Sequence, residues 1–337
     1  MAPDGGGGVA GDPAARTAMA ASRPRSRHAH LVGRALLVAE TAGLYALSEA
    51  DAATLARGLD GGDAAAAAAL ARLGLDAPAP PPPPGAGPVR ALALTVAQSC
   101  NLACGYCYAA GGAFGGPERR MTPEVARRAI DALIAAAPPG GAVRIAFMGG
   151  EPMVARALIR EAVAHALRRA DARAVAVGFA LTTNATLLTA EDAAFFARHR
   201  FAITVSLDGD RETNDRLRPT RGGDGSFARA AARLGPLFAE AGRLTLTSRV
   251  TATPANLDLA RTVAALGALG FASVGVSPLI APASGRGALA GADFERLLAA
   301  MIGCGEDWLA ATIAGRAHPF ANLATALREI ARGAPRS

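Results

Sequence analysis

From Val89 onward the apolar positions follow two alternating rhythms. Six short runs are apolar or β-branched almost throughout: VRALALTVA from Val89, VRIAFMG from Val143, AVAVGFALTTN from Ala174, FAITVSLDG from Phe201, RLTLTSRVT from Arg243 and FASVGVSP from Phe271. Between them TPEVARRAIDALIAAA, ARALIREAVAHALRRA, TAEDAAFFARHR, SFARAAARLGPLFAEAG and NLDLARTVAALGALG read as helices. Strands alternating with helices predict β-α repeats, and hence an α/β fold with a parallel sheet and right-handed crossovers. Taken alone, the pattern fits a Rossmann-like sheet and a barrel equally.

Upstream, residues 31–77 read as a small accessory segment: a strand-like ALLVAE, a turn at Gly43, LYALSEADAATLARGL and an Ala-rich helix. APAPPPPPGAGP follows, and a proline run of this kind takes extended polyproline geometry and acts as a semi-rigid spacer. Residues 78–88 are therefore expected to be a linker. Residues 1–30 contain Arg and Ser but no apolar central region, which predicts a disordered tail rather than a secretory signal. The core is expected over 89–290, with a helical segment over 291–337. Between Arg261 and Arg286 there is no charge, a length that suffices for a membrane span. Gly267, Gly270, Gly275, Pro278 and Pro282 divide it, however, into a helix end, a turn and a short strand, so no membrane partner is expected.

The 337 residues, 51% of them hydrophobic, suffice for one large domain and a small module. Thirty-five basic against 28 acidic residues give a net charge of +7, and every basic residue is Arg. With no basic stripe interleaved with aromatics, this reads as compositional bias, and no nucleic-acid partner is expected.

Four Cys occur, and three of them stand together as SCNLACGYCYA, a CxxxCxxC array of Cys100, Cys104 and Cys107 directly after the first core strand. This is no disulfide framework; it points to a metal site in a reducing compartment, the cytoplasm. Iron-sulfur clusters normally take four Cys and structural zinc is four-coordinate and closed. Three thiolates with no His, Asp or Glu among them are therefore either incomplete or open, and an open metal position is where a ligand binds. A zinc knob with a distant fourth ligand and three buried thiols are the other readings. The remaining polar motifs also fall at strand ends: FMGGEP after the second core strand, with Gly149, Gly150 and Glu151; LTTNATLL with Asn184; SLDGD with Ser206 and Asp208; SRVTATPAN with Arg249.

In this order the motifs resemble the radical S-adenosylmethionine (SAM) enzymes, over roughly Val89 to Ala283. The resemblance selects a partial (β/α)6 TIM-like barrel, with its site at the C-terminal strand ends. It implies a 4Fe-4S cluster on Cys100, Cys104 and Cys107, whose unique iron chelates SAM. It also implies Tyr106 near the SAM adenine, the Gly149-Gly150-Glu151 motif at its amino group, and Ser206 and Arg249 at its carboxylate, with Asn184 orienting SAM or substrate. The +7 charge fits an acidic electron donor such as flavodoxin or ferredoxin. DGDRETNDRLRPTRGGDGSF, from Asp208 to Phe227, resembles the family's His-Asp-Arg run followed by Gly-x-Gly-Ser-Phe, with Asn214 where His is usual. Arg216 and Arg218 are candidates for gripping substrate, with a solvated loop as the alternative, and the GSF is expected to cap the next helix.

The same set resembles the branch that matures peptides and proteins, implying a peptide or protein substrate for oxidation, crosslinking or epimerisation; a radical SAM enzyme acting on a small molecule, and a truncated, noncatalytic cluster- or peptide-binding protein, are the alternatives. The front segment resembles units that grip a leader peptide as an added strand, with a scaffold segment packed on the main domain as the alternative. That branch carries a Cys-rich C-terminal extension called SPASM. No such Cys set follows Cys304, and the chain stops at ALREIARGAPRS about where the extension would begin; a truncated product or a member without the module is expected. Cys304 is expected to be a small buried hydrophobe.

Overall fold

A computed structural model describes residues 29–38, 43–60, 63–74, 89–279 and 287–332. Most of the expected tail and all of the expected linker lie outside these residues. The chain divides into two units, residues 1–84 with 325–337, and residues 85–324.

In the first unit, β1 (Ala29–Val32), β2 (Ala35–Val38) and β3 (Gly43–Ala46) form an antiparallel sheet in the order β1-β2-β3. Helices α1 (Glu49–Asp60) and α2 (Asp63–Arg72) follow. Leu36, Val38, Leu47, Leu55, Ala69 and Leu70 make its small separate core.

The second unit is built on β4 (Ala91–Ala97), β5 (Ala142–Gly149), β6 (Ala176–Thr183), β7 (Ala202–Ser206), β8 (Thr245–Ala252) and β9 (Val274–Pro278). All pair in parallel, in sequence order. Long helices α3 (Pro123–Ala136) and α4 (Arg156–Asp171) make the first two crossovers, and α5 (Ala190–Arg198) the third. The expected six-stranded partial barrel is the fold observed, because alternate side chains face opposite ways along each strand. One set, Ile145, Phe147, Phe179, Leu181, Ile203, Val205 and Val250, is buried. Phe147, Phe179 and Phe201 stack on one another, with ring centroids 5.3–6.4 Å apart. The other set, including Ala146, Ala180, Thr182, Thr204 and Ser206, is small or polar apart from Met148 and is less buried, which leaves room on that side of the sheet.

The helix expected over SFARAAARLGPLFAEAG is instead two short ones, α7 (Phe227–Ala231) and α8 (Gly235–Ala239). Pro236, in the first turn of α8, lacks an amide hydrogen and so cannot donate back to the Ala232 carbonyl, which interrupts the run. The Asp208–Phe227 stretch is not a solvated loop throughout: residues Arg211–Leu217 form α6. Asp210 nucleates it, accepting a hydrogen bond from Thr213 N at 3.0 Å. The uncharged stretch after Arg261 ends α9 (Leu259–Ala268) and enters β9, and no described helix is long and apolar enough to cross a membrane. Two further helices, α10 (Ala292–Ile313) and α11 (Ala321–Arg332), follow. Asn322, in the first turn of α11, clasps the edge of β9: it accepts from Val276 N and donates to Val276 O, both at 2.8 Å.

Candidate functional site

Parallel strands bring their C-terminal ends to one rim, and the loops there line a cleft. Cys100, Cys104, Tyr106, Cys107, Met148, Gly149, Gly150, Glu151, Thr182, Thr183, Asn184, Ser206, Arg218 and Thr251 are among its lining residues. Residues 84 positions apart in sequence, Cys100 and Asn184, meet here.

The thiol-bearing loop after β4 is moored to the end of β5. Gly150 N donates to Ala97 O and Glu151 N to Ser99 O, both at 2.9 Å. Gly149 makes this approach possible: its φ is +154° and a Cβ there would collide with the Ala97 carbonyl. All three cysteines are free and partly accessible. Burial raises the Cys100 thiol above its ordinary value, and pushes Cys104 up to about 11 against the opposing pull of the Arg218 cation.

Glu151 is fully buried, and this corrects the picture of a carboxylate free to meet an ammonium. Its Oε1 accepts from Thr183 Oγ1 at 2.7 Å and Met153 N at 3.1 Å, and its Oε2 from Asn184 N at 2.8 Å. The carboxylate thus ties the end of β5 to the end of β6. Burial raises its pKa, while the three donors oppose the shift.

Asn184 faces the thiols. Its amide lies 3.8 Å from Cys100 Sγ and donates to Asn101 Oδ1 at 3.0 Å. Asn101 in turn donates to Thr186 Oγ1 at 2.7 Å, and Thr186 Oγ1 donates to Asn184 Oδ1 at 2.6 Å. This ring of polar side chains was not foreseen, although Asn beside the first Cys and Thr after Asn184 are visible in the sequence.

Tyr106 lines the cleft, and its hydroxyl is engaged: it donates to Asp208 Oδ2 and accepts from Arg218 Nη1. Asp208, completely buried, also accepts from Thr251 N at 2.9 Å. Arg218, 8% exposed, is part of the site; Arg216 is exposed and donates to Ala255 O at 2.9 Å. Asn214 is buried, donating to Ser226 Oγ at 3.1 Å and accepting from Asp208 N at 3.2 Å. Ser226 does not cap α7: its hydroxyl donates to Arg218 O at 2.5 Å, and Asp215 Oδ1 accepts from Phe227 N at 2.7 Å instead.

Ser206 lines the cleft and Arg249 is its partner across the β7-β8 ladder. Arg249 shares a strand face with Thr251 but is exposed and is not one of the lining residues. Cys304 is buried on α10, as expected, and burial pushes its thiol up to about 11.

The strand ends of this partial parallel barrel thus bring three free thiols, a Gly-Gly turn and a set of polar side chains together on one cleft. The profile of the Radical SAM superfamily matches residues 94–235. The serine-type anaerobic sulfatase-maturating enzyme of Klebsiella aerogenes is 31% identical over 145 residues, which are 42% of this chain and 35% of that protein. The enzyme of the same name from Bacteroides thetaiotaomicron is 32% identical over 145 residues, 42% of this chain and 34% of that one. Among solved structures, native anSMEcpe with bound AdoMet and Cp18Cys peptide superposes with a TM-score of 0.65 at 18% identity, covering 74% of this chain and 68% of that one. The chain spans about a third of the length of the curated relatives it matches.

The Radical SAM profile match implies a 4Fe-4S cluster and SAM, and the donor set fits both. No three His, Cys, Asp or Glu among the described residues gather around a single ion. Thiolates that each bind a different iron of a cubane need no such convergence, whereas a zinc site does. Cys100, Cys104 and Cys107 all open on the same cleft.

Proposed function

We propose that this protein is a radical SAM enzyme that cleaves SAM reductively and abstracts hydrogen from a peptide or protein side chain, in an oxidation, crosslinking or epimerisation. The observation that carries this reading is the meeting of Cys100, Cys104, Cys107 and the Gly149-Gly150 turn on one cleft at the barrel rim. When bound, the reduced cluster and SAM together supply a 5'-deoxyadenosyl radical, the hard chemistry being the cofactors' own.

The chain's residues bind, orient and exclude water. Cys100, Cys104 and Cys107 hold the cluster through thiolates. The strand-end carbonyls at Gly149 and Gly150 receive the SAM ammonium, and Glu151, already committed to three protein donors, holds those carbonyls in place. Ser206 and Arg249 take the SAM carboxylate, for which a guanidinium offers forked, charge-assisted contact. Tyr106 offers its ring to the adenine while its hydroxyl stays tied to Asp208 and Arg218. Asn184 orients the ligand from the Cys100 side. The net charge of +7 favours an acidic electron donor of the flavodoxin or ferredoxin kind, working in the cytoplasm, where thiols stay reduced. The sheet of the first unit ends in β1 and β3, and a leader segment of the substrate adds to such an edge as a further strand.

The test is anaerobic reconstitution with iron and sulfide, followed by dithionite and SAM, with 5'-deoxyadenosine measured over time. About four irons per chain and steady formation of the nucleoside are expected, accelerated by the peptide substrate. An intact cluster that yields no nucleoside would make this a binding protein and end the enzymatic reading.

A further inference from the structure

The segment after α6 lies as a strap along the thiol-bearing loop. Ala103 N donates to Pro219 O at 2.8 Å, Gly105 N to Leu217 O at 3.3 Å and Arg221 N to Asn101 O at 3.3 Å, and Leu102 bridges Thr220 in antiparallel fashion. Within this strap the backbone of Arg218 is fixed at both ends. Its N–H donates to Asn214 O at 2.8 Å and its carbonyl accepts from Ser226 Oγ at 2.5 Å. The side chain enters the cleft, which Cys104 also lines, and lies against Tyr106, with its guanidinium carbon 5.9 Å from the tyrosine ring centre. The only carboxylate paired with it among the described residues is Asp208, at 3.6 Å.

We propose that Arg218 is a positioning residue for the cluster: through the strap it fixes the thiol loop, and as a buried, permanent cation it raises the reduction potential of the cluster held there. This rests on the cluster reading of the site. The physical reason is charge. A guanidinium stays protonated at any working pH, and because Arg218 is buried its field on the cluster is weakly screened. Charges and hydrogen bonds around the sulfurs are what set cluster potentials. One-electron reduction adds a negative charge beside the cation, so the reduced form gains more from Arg218 than the oxidised form does. Asp208 works in the opposite sense, partly cancelling the cation.

The test is the midpoint potential of the reconstituted full-length chain, followed by the EPR signal of the reduced cluster during a redox titration. Three proteins are compared: wild type, Arg218→Gln and Asp208→Asn, with iron counted in each. Arg218→Gln should titrate at a more negative potential than wild type, and Asp208→Asn at a more positive one. A purely structural role predicts no such opposition in sign. Unchanged potentials in iron-loaded variants, or shifts in the same direction, would overturn the proposal while leaving the cluster site standing. Should Arg218→Gln fail to take up iron, Arg218→Lys replaces it: a potential closer to wild type than to Asp208→Asn supports the charge role, and one displaced as far as that of Asp208→Asn refutes it. A wild-type chain that takes up no cluster overturns both this proposal and the reading beneath it.

Discussion

Gly150 is where two backbones meet, and substituting it isolates how much that contact is worth. A Cβ at this position would lie 2.6 Å from the Ser99 carbonyl carbon and 2.8 Å from Gly112 Cα, and closer still to Ser99 O. All three are backbone atoms, so no flexible side-chain tip can yield. Relief requires the thiol loop to move off the end of β5, straining the bonds from Gly150 N to Ala97 O and from Glu151 N to Ser99 O. Overpacking of this kind costs about 1–3 kcal/mol, and each hydrogen bond lost adds about 0.5–1.5 kcal/mol. For a domain of this size, 1 kcal/mol corresponds to about 2–4 °C in melting temperature. Gly150→Ala should therefore lower the Tm of the cluster-free chain by about 4–24 °C and reduce iron uptake on reconstitution. Gly178→Ala on β6 is the control, because a Cβ there meets nothing within 4 Å. The measurement is thermal unfolding by circular dichroism alongside iron counting. If Gly150→Ala melts and loads iron like Gly178→Ala, the close approach has no energetic weight and the account of the Gly-Gly turn is wrong.

Glu151→Gln places an amide NH2 where the carboxylate accepts from Thr183, Met153 N and Asn184 N; leaving a buried donor unpaired costs about 1–3 kcal/mol, so a lower Tm and weaker SAM binding in equilibrium dialysis are expected, and an unchanged Tm would contradict the tie between β5 and β6. Ser248 carries the one buried side-chain polar atom among the described residues with no hydrogen-bond partner; Ser248→Ala removes that liability and should leave chemical-denaturation stability equal or higher, by up to about 1–3 kcal/mol, and a loss of stability would point to a partner for its hydroxyl. Burial lowers the pKa of His199 from 6.5, its ring lying against Phe195 and Phe179. The unfolded chain then binds the proton more readily, so stability is whole above the unfolded pKa and is lost as pH falls through 6.5 toward the folded value; His199→Gln should flatten that acid-side decline in Tm, and an identical pH profile would assign it elsewhere.

The sequence by itself determined the order of elements and the chemistry of the loops. Period-two burial in runs such as VRIAFMG, with Val143, Ile145 and Phe147 buried and Met148 on the other side, is set by local pattern. The Cys100, Cys104 and Cys107 spacing and the Gly149-Gly150 turn are equally local, and both stand where strand-then-loop reasoning put them. Which polar side chains face the cleft was decided by tertiary structure alone. Arg216 and Arg218 are two residues apart and equally basic, yet one is exposed and the other buried, because the strap's pairing with residues 101–105 turns only Arg218 inward. Glu151 reads as a free carboxylate until β6 brings Thr183 and the Asn184 amide to it. Asn214 reads as a departure from a motif, but in space it joins Asp208 to Ser226. Buried polar groups must find partners, and those partners lie on other strands and loops, at separations that no periodicity encodes.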